Sequence, residues 1–224
     1  FVKIKHMIIS ARHGVTLSID LIKALCEKNI HVTFMDYEGE PYAFINSPTG
    51  KNKEIILQQL ESKNDQRGFT IAKSIMISKI KNQLHLSKYW LKSRDQNNKN
   101  IFLEHIEKMD SSLENLKKIA FNENDDYVSK FMQIESTVAA HYWKIFALTL
   151  KNYGFPGRER KGAKDPINVM LNYGYGFLDN YVNTALVTQG IDPSVSYIHK
   201  PQRNKPTLTY DVMEQFRQPF IDRT

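Results

Sequence analysis

Short apolar runs in the first fifty residues have the character of β-strands. Runs rich in β-branched and aromatic residues at 2–9, 30–37 and 42–46 predict three strands. Polar residues with glycine and proline predict turns at 38–41 and 47–50. This part of the chain is therefore expected to form a small β-rich unit.

One helix is predicted between the first and second strands. Its apolar face consists of Ile19, Ile22, Ala24, Leu25 and Cys26. Thr16 or Ser18 can cap the start of this helix with a side-chain oxygen, and Asn29 is expected to end it.

From residue 51 onwards, the apolar positions follow the period of an α-helix. The longest amphipathic pattern runs from Phe69 to Trp90, and Lys79 and Gln83 fall on its apolar side. Polar or glycine- and proline-rich stretches predict loops at 94–100, 121–127, 152–166 and 190–206. The pattern predicts an α+β protein with a small N-terminal β-rich domain at 1–50 and an all-helical C-terminal domain at 51–224.

Composition limits the class of protein further. Of 224 residues, 41% are apolar and 25% are charged, which is ordinary for a globular protein and argues against disorder or a fibrous repeat. No run of about 18 to 20 uncharged apolar residues is present, so no membrane span is expected. The chain begins inside a predicted strand and stops after a charged turn, so we expect it to be part of a longer protein.

Cysteine content and net charge indicate the compartment and the class of partner. Cys26 is the single cysteine, which excludes an internal disulfide and any zinc site built from several cysteines, and favours the reducing cytoplasm. Lysine and arginine number 31 against 24 aspartates and glutamates, for a net charge of +7. This excess favours a polyanionic partner such as a nucleic acid.

Two candidate residues are uninformative when each is considered alone. Glu135 lies near the edge of a helix surface formed by Phe131, Val138 and Tyr142, where a solvated or salt-bridged carboxylate is the ordinary interpretation. His199 ends a loop segment, where a lone histidine is commonly a surface residue.

A carboxylate pair follows near the end of the chain. Asp211 and Glu214 are three residues apart, so on a helix they share one face with Cβ atoms about 5 to 6 Å apart. Two carboxylates on one face repel each other unless a cation lies beside them. The alternative is a pair at a helix N-terminus, with Asp211 near the start and Glu214 completing the first turn.

Together, these residues form a set of oxygen ligands with one histidine, supplied by separate segments of a basic protein. Such a set suits Mg²⁺ or Mn²⁺ better than a structural zinc ion. A divalent ion of this kind supports phosphodiester chemistry without a covalent protein intermediate. Candidate phosphate contacts are Arg158, Arg160, Lys161, Lys164, Lys200, Arg203 and Lys205, although a solvated run of charges is the alternative for this group.

Four motifs resemble, in order and spacing, the CRISPR-associated adaptation integrase family, the "Cas-one" proteins. They are Glu135 with Ala139, Tyr142 and Trp143; Asp165–Asn168 with Leu171, Gly174 and Tyr175; Gly190–Pro193 leading to His199; and Leu208–Glu214 with Phe216, Arg217, Asp222 and Arg223. The resemblance extends over roughly the whole chain, since the first 43 residues are similar to the end of that family's N-terminal β-domain.

The resemblance implies a metal-dependent DNA endonuclease and integrase whose helical C-terminal domain is catalytic. Glu135, His199 and Glu214 match the family's metal-ligand positions, Asp211 matches a further acidic position beside them, and the implied metal is Mg²⁺ or Mn²⁺. The implied reaction is transesterification that inserts a short spacer duplex at a CRISPR repeat, as part of antiviral defence.

The resemblance also implies partners and a compartment. The family works as a homodimer with a small partner, "Cas-two", in the prokaryotic cytoplasm, and some members are fused to or associated with a reverse transcriptase. Two other functions stay open from the residues: a non-catalytic DNA-binding scaffold of the same fold, and a general metal-dependent nuclease of another family.

Overall fold

The computed structural model describes residues 4, 6–10, 14–28, 30–35, 41–45, 52–92, 96–160, 162–203 and 205–223. Several predicted features lie outside these ranges. They are residues 2, 3 and 5 of the first predicted strand, the helix end at Asn29, the turns at 38–40 and 47–50, and the candidate phosphate contact Lys161.

A small sheet occupies the N-terminal part of the described chain. Its strands are β1 (His6–Ser10), β2 (His31–Met35) and β3 (Pro41–Ile45), and helix α1 (Ile19–Glu27) lies between the first two in sequence. The strands lie in the order β1-β2-β3, with β1 parallel to β2 and β2 antiparallel to β3. Central β2 is the best covered, because Val32 and Thr33 are both buried.

The first helix confirms one prediction and corrects another. Ser18 is its N-cap, and the Ser18 hydroxyl oxygen accepts a hydrogen bond from the backbone N–H of Leu21 at 3.2 Å. Leu25 is buried, as its place on the predicted apolar face requires. Ile19, predicted on the same face, is instead 82% exposed in the first turn of the helix, because a helix position on the apolar face is buried only where another element packs over it.

The remainder of the described chain is mainly helical. Its helices are α2 (Asn52–Ser62), α3 (Gln66–Leu91), α4 (Gln96–Lys118), α5 (Tyr127–Thr149), α6 (Pro166–Thr188) and α7 (Thr207–Met213), with a short 3₁₀ turn at Lys151–Tyr153 and a π-helical turn at Gln218–Asp222. The predicted α+β class is therefore confirmed, while the division into two domains at residue 50 remains a prediction. No helix in the described ranges is both long and apolar enough to cross a membrane.

Helix α3 lies at the centre of the helical core and packs against α4 and α5. The buried residues of α3 have helical spacing, as in Ala72, Met76, Ile80 and Leu84. Lys79 and Gln83 are also buried on this helix, although both are polar. A lysine in such a position needs a partner inside the protein.

Helix α4 corrects the predicted extent of one loop. The sequence predicts a loop over residues 94–100, but α4 begins at Gln96. Asparagine and glutamine are tolerated in the first turns of a helix, where the N–H groups lack intrahelical partners, and the core-facing pattern starts only with buried Phe102. The other predicted loops are present, with Asp126 capping α5 and Asp165 capping α6.

The segment between α6 and α7 carries His199. Gly190, with φ of 74°, ends the turn after α6 in a conformation that favours glycine. The following stretch is irregular yet largely buried, including Ser196, Tyr197 and Ile198. His199 is therefore presented by a packed loop next to α7.

Candidate metal and phosphate site

Two of the predicted site residues, Glu135 and Glu214, meet at one lysine. Glu135 lies on α5, Glu214 directly follows α7, and Lys79 lies on α3. The Lys79 Nζ atom lies 2.5 Å from Glu135 Oε1 and 2.8 Å from Glu214 Oε2. The ordinary interpretation of Glu135 as a salt-bridged carboxylate is therefore correct in the described structure, but its partner is a buried lysine shared with a second carboxylate.

Glu214 contacts a cation on each of its two carboxylate oxygens. Arg217 Nη1 lies 2.8 Å from Oε1, while Lys79 lies near Oε2. Burial raises the pKa of Glu214, but the charges of Lys79 and Arg217 outweigh it, so the pKa lies below its ordinary value. His199 acts on the pKa of Glu214 in the same direction as these two cations.

Asp211 holds the loop that presents His199. Its carboxylate accepts hydrogen bonds from the backbone N–H groups of Tyr197, Ile198 and His199 at 2.7, 3.0 and 3.0 Å, and it pairs with His199 Nδ1 at 2.6 Å. Because Asp211 engages Nδ1, Nε2 is the ring nitrogen that can bind a metal ion. The alternative of an N-terminal acidic pair is wrong, since Asp211 is fully buried in the middle of α7.

A cleft with a volume of about 290 Å³ opens beside the two glutamates. Its lining includes Lys79, Glu135, Glu214, Arg158, Arg160 and Arg217. Carboxylates on one part of the wall can hold a cation, while guanidinium groups elsewhere on the wall can hold the oxygens of a phosphate. The cleft therefore combines negative carboxylates with positive side chains on one wall.

Arg158 is a structural part of this wall. Its guanidinium donates hydrogen bonds to Asn168 Oδ1 at 3.0 Å and to Asn172 Oδ1 at 2.6 Å. It also lies over the rings of Trp143 and Tyr175, with distances of 5.9 and 5.1 Å to the ring centroids. The loop at Arg158 is thus fixed by packing, which excludes a fully solvated charge at this position.

The other described candidate phosphate contacts are exposed and spread over the surface. They are Arg160, Lys164, Lys200, Arg203 and Lys205. Arg160 lines the carboxylate cleft, whereas Arg203 and Lys205 line a different surface depression beside Pro206. The structure therefore separates the predicted basic set into a group at the cleft and a group outside it.

A buried aspartate supports the wall of the cleft from behind. Asp222 accepts hydrogen bonds from the hydroxyl groups of Tyr142, at 2.6 Å, and Tyr175. Burial raises the pKa of Asp222 above its ordinary value, although both tyrosine hydroxyls oppose this effect. Because Tyr175 also lies beneath Arg158 and Arg217, this network fixes the ring on which the two arginines rest.

Glu135 and Glu214 supply carboxylate oxygens of the kind that bind a small divalent cation, whereas His199 is not part of the described lining of the cleft. Glu214 Oε2 is buried and, among the described residues, has an ion-pair neighbour but no hydrogen bond of acceptable geometry. Such an oxygen is a good ligand for Mg²⁺ or Mn²⁺. In the described residues, no three histidine, cysteine, aspartate or glutamate side chains lie close enough to hold a metal ion together.

Lys79 and Arg217 are the site residues that sequence reasoning missed as functional. Lys79 falls on the apolar side of its helix, and a charge in that position is the signal that a buried partner exists. Arg217 lies three residues after Glu214, the spacing of an ion pair on a helix. Neither signal identifies which carboxylates are bound.

Comparisons with known proteins agree on one family. The family model described as CRISPR associated protein Cas1 matches residues 2–224. The chain is 29% identical over 212 residues to CRISPR-associated protein Cas1 3 of Methanobrevibacter ruminantium, covering 93% of this chain and 63% of that protein. It is 30% identical over 215 residues to CRISPR-associated endonuclease Cas1 of Korarchaeum cryptofilum, covering 92% and 63%.

Solved structures share the fold. A casposase bound to its integration product has a TM-score of 0.69 at 24% identity, with 97% of this chain and 62% of that chain covered. A partial Cas6-RT-Cas1–Cas2 complex has a TM-score of 0.69 at 21% identity, with 94% and 61% covered. The chain thus spans a little over 60% of the length of each of these four proteins.

Proposed function

Because the chain belongs to the Cas1 family, we propose that it is a metal-dependent DNA integrase and endonuclease that inserts short spacers into a CRISPR array. The observation that carries this proposal is the meeting of Glu135 and Glu214 on one cationic group at a cleft lined by arginines. These two carboxylates come from separate helical segments, and their convergence has the form of a site for a divalent cation.

Glu135, Glu214 and His199 would hold Mg²⁺ or Mn²⁺ in this proposal, His199 through Nε2. A bound ion of this type polarises a phosphate and lowers the pKa of an attacking hydroxyl. Asp211 orients the His199 ring through Nδ1 and so acts as a positioning residue. The part of the chain from 51 to 224 supplies all four residues and is proposed as the catalytic domain.

The arginines of the cleft would bind the phosphate under attack. Arg158 and Arg217 both rest on the ring of Tyr175, so their guanidinium groups are fixed before DNA arrives. In the reaction, a spacer 3′-oxygen forms a bond to phosphorus as the bond from phosphorus to the repeat 3′-oxygen breaks. The attacking hydroxyl loses its proton and the leaving oxygen gains one, so the number of phosphodiesters is unchanged.

DNA and protein partners follow from the same proposal. The spacer duplex and the CRISPR repeat are the nucleic-acid partners, and the exposed basic residues outside the cleft contact their phosphates. A protein of the same fold is found in a Cas6-RT-Cas1–Cas2 complex. We extend to this chain a small Cas2 partner and an associated or fused reverse transcriptase, acting in the prokaryotic cytoplasm.

A homodimer is proposed through the N-terminal sheet. On neighbouring strands, Ile8, Thr33 and Phe44 form one row across the sheet. Ile8 is 53% exposed and Phe44 is 40% exposed, whereas Thr33 between them is buried, so the row offers apolar surface at its two outer strands only. A second copy that covers this face would hold two active sites at a fixed separation, and spacer length would then be set by protein geometry.

One observation favours the scaffold alternative. Lys79 pairs with both carboxylates, as expected for a purely structural ion pair. A scaffold and a general nuclease both differ from an integrase in their products, since a scaffold leaves DNA intact and a nuclease only releases fragments.

The test is a strand-transfer assay with a labelled spacer duplex and a supercoiled plasmid that carries the repeat. We expect joined product with Mn²⁺ or Mg²⁺, more of it with the Cas2 partner, and none with EDTA. Glu135→Ala and His199→Ala should abolish joining while DNA binding in a filter assay is kept. Joining by either variant at the wild-type rate would contradict the proposed ligand set.

A further inference from the structure

Lys79 is a buried cation with two anionic partners. Its side chain is 7% exposed, and its ammonium lies between Glu135 and Glu214. Lysine is seldom buried to this degree unless it is paired, because removing an ammonium from water is costly. The two carboxylates in turn would repel each other without it. The three side chains therefore depend on one another for burial.

The charges in contact at this cluster are already balanced. Glu135 and Glu214 supply two negative charges, while Lys79 and Arg217 supply two positive ones. A divalent cation that entered without any other change would leave two excess positive charges in a poorly solvated cleft. Such an excess is unfavourable unless a cation leaves the carboxylates or an anion enters with the metal.

We propose that Lys79 is a tethered counterion that occupies the place of the metal ion, so that the ion binds by displacing the Lys79 ammonium from Glu135 and Glu214. This inference rests on the proposed function, because it takes the two glutamates as metal ligands. Because the ammonium must be displaced, metal binding is weak in the free protein and becomes strong when a DNA phosphate is present to receive the ammonium.

The cleft gives the displaced ammonium a place to go. Lys79 lines the same cleft as Arg158 and Arg160, where the phosphate is proposed to bind. The lysine side chain is a flexible four-carbon stem, so its ammonium can move from carboxylate to phosphate while the helix stays in place. An arginine at this position would keep the positive charge and would still compete with the metal ion for the carboxylates. A methionine would keep much of the volume, but it has no charge and would not compete.

The first measurement is Mn²⁺ binding to the protein without DNA, followed by electron paramagnetic resonance of the free ion. Lys79→Met should bind Mn²⁺ about tenfold more tightly than the wild type, since the competing charge is gone. Lys79→Arg should bind like the wild type. The matched control is Lys88→Met on the same helix, where an exposed lysine pairs with Asp110 outside the cleft, and it should change nothing. Wild-type affinity in Lys79→Met would overturn the inference.

The second measurement adds a duplex with 3′-dideoxy ends, which binds but cannot be joined. The wild-type protein should gain about tenfold in Mn²⁺ affinity on adding this duplex, whereas Lys79→Met should gain much less. An equal gain in both proteins would show that the coupling does not pass through Lys79. A purely structural ion pair predicts no difference between the two proteins in either measurement.

Stability provides a check in case the variant folds poorly. Lys79→Met leaves two buried carboxylates facing each other, so its melting temperature without metal should fall, and Mn²⁺ should restore it by more than it raises that of the wild type. Thermal melts followed by circular dichroism measure the melting temperature of each protein without and with Mn²⁺. A variant that stays unfolded at every Mn²⁺ concentration would contradict the proposal, which requires the metal to replace the ammonium.

Glu135→Gln distinguishes a failure of the proposed metal site from a failure of the counterion role of Lys79. If it binds Mn²⁺ as tightly as the wild type, the metal lies elsewhere and the proposed function falls together with this inference. If Glu135→Gln loses Mn²⁺ while Lys79→Met matches the wild type, the metal site stands and the counterion role of Lys79 alone is refuted.

Discussion

The Oδ1 atom of Asp211 lies 2.6 Å from Nδ1 of His199, and the same carboxylate binds the backbone N–H of His199. One buried aspartate thus fixes both the main chain and the ring of the histidine. A side chain that is held at two points has few other orientations, so the position of Nε2 is set before any ligand binds.

Replacing this aspartate should weaken catalysis through the histidine. Asp211→Asn removes the charge that orients the ring and places an amide where the carboxylate accepts several N–H groups. We expect strand transfer to fall about 10- to 100-fold, while DNA binding is kept. The control is Asp192→Asn, which alters a turn in the same loop and should retain activity. A fully active Asp211→Asn protein would show that His199 needs no such support.

Acid should weaken the fold through Glu214. Although burial raises its pKa, the charges of Lys79 and Arg217 bring the pKa below the ordinary value of 4.5. The ionised group therefore stabilises the fold fully above pH 4.5, and this contribution is lost as the pH falls from 4.5 through the lower pKa of the folded state.

Glu214→Gln tests this prediction by urea unfolding. At about pH 7 the variant should be less stable by about 3 to 5 kcal/mol, because one member of a buried ion cluster is gone. At about pH 3.5 the difference from the wild type should shrink. A difference that stays constant between the two pH values would mean that Glu214 does not carry the effect.

The tyrosine network behind the cleft should contribute to stability. Tyr142→Phe removes one of the two hydroxyl donors to buried Asp222 and leaves the ring in place. We expect the free energy of unfolding to fall by about 1 to 3 kcal/mol. Tyr153→Phe is the control, because that tyrosine is 72% exposed. Equal stability of the two variants in urea would show that the hydroxyl of Tyr142 adds nothing.

Two neighbouring arginines should differ in effect. Arg160→Ala should weaken DNA binding at all sequences alike and reduce the salt slope by about 0.9 for each duplex phosphate that the side chain neutralises, with little change in stability. Arg158→Ala should also lower the melting temperature, because it removes hydrogen bonds to Asn168 and Asn172 and the packing on two aromatic rings. Binding titrations at several salt concentrations and thermal melts measure both effects. An unchanged salt slope in Arg160→Ala would rule out binding of a phosphate by this residue.

Association should depend on the exposed face of the sheet. Ile8→Glu places a charge in the open row of the sheet and should convert a dimer to a monomer, because a buried unpaired carboxylate is costly at an interface. Light scattering at micromolar protein concentration gives the mass. Ile19→Glu, at an 82% exposed position on α1, is the control and should remain dimeric. A monomeric wild type, with DNA and the small partner present, would contradict the proposed dimer.

Local signals in the sequence are sufficient for much of the fold. Ser18 is recognisable as a possible helix start, and the period from Phe69 to Trp90 matches a helix that is buried on one side. The loop predicted at 94–100 is too long because polar residues are equally compatible with an exposed first turn. The exposure of Ile19 escapes prediction because the packing of other elements over the start of a helix is a tertiary property.

The membership of the site and its pairings differ in how far the sequence reaches. Motif resemblance assigns Glu135, His199, Asp211 and Glu214 to the site, and this assignment stays a prediction. The ion pairs of Lys79 join positions 56 and 135 residues apart, and no periodicity or local propensity encodes such distances. A buried lysine indicates that partners exist, but the choice of partners depends on how three helices pack.

The pairing of Lys79 with both glutamates also has a consequence for the order of events on the ribosome. Helices α3 and α5 are synthesised before Glu214, so Lys79 and Glu135 can pair while the segment that carries Glu214 is still inside the exit tunnel. The nascent chain then carries one neutral pair and lacks the second carboxylate. On the proposed function, binding of divalent ions and cutting of DNA would therefore begin only once the segment with Glu214 has docked, and a nascent chain would pose little danger to the genome of its own cell.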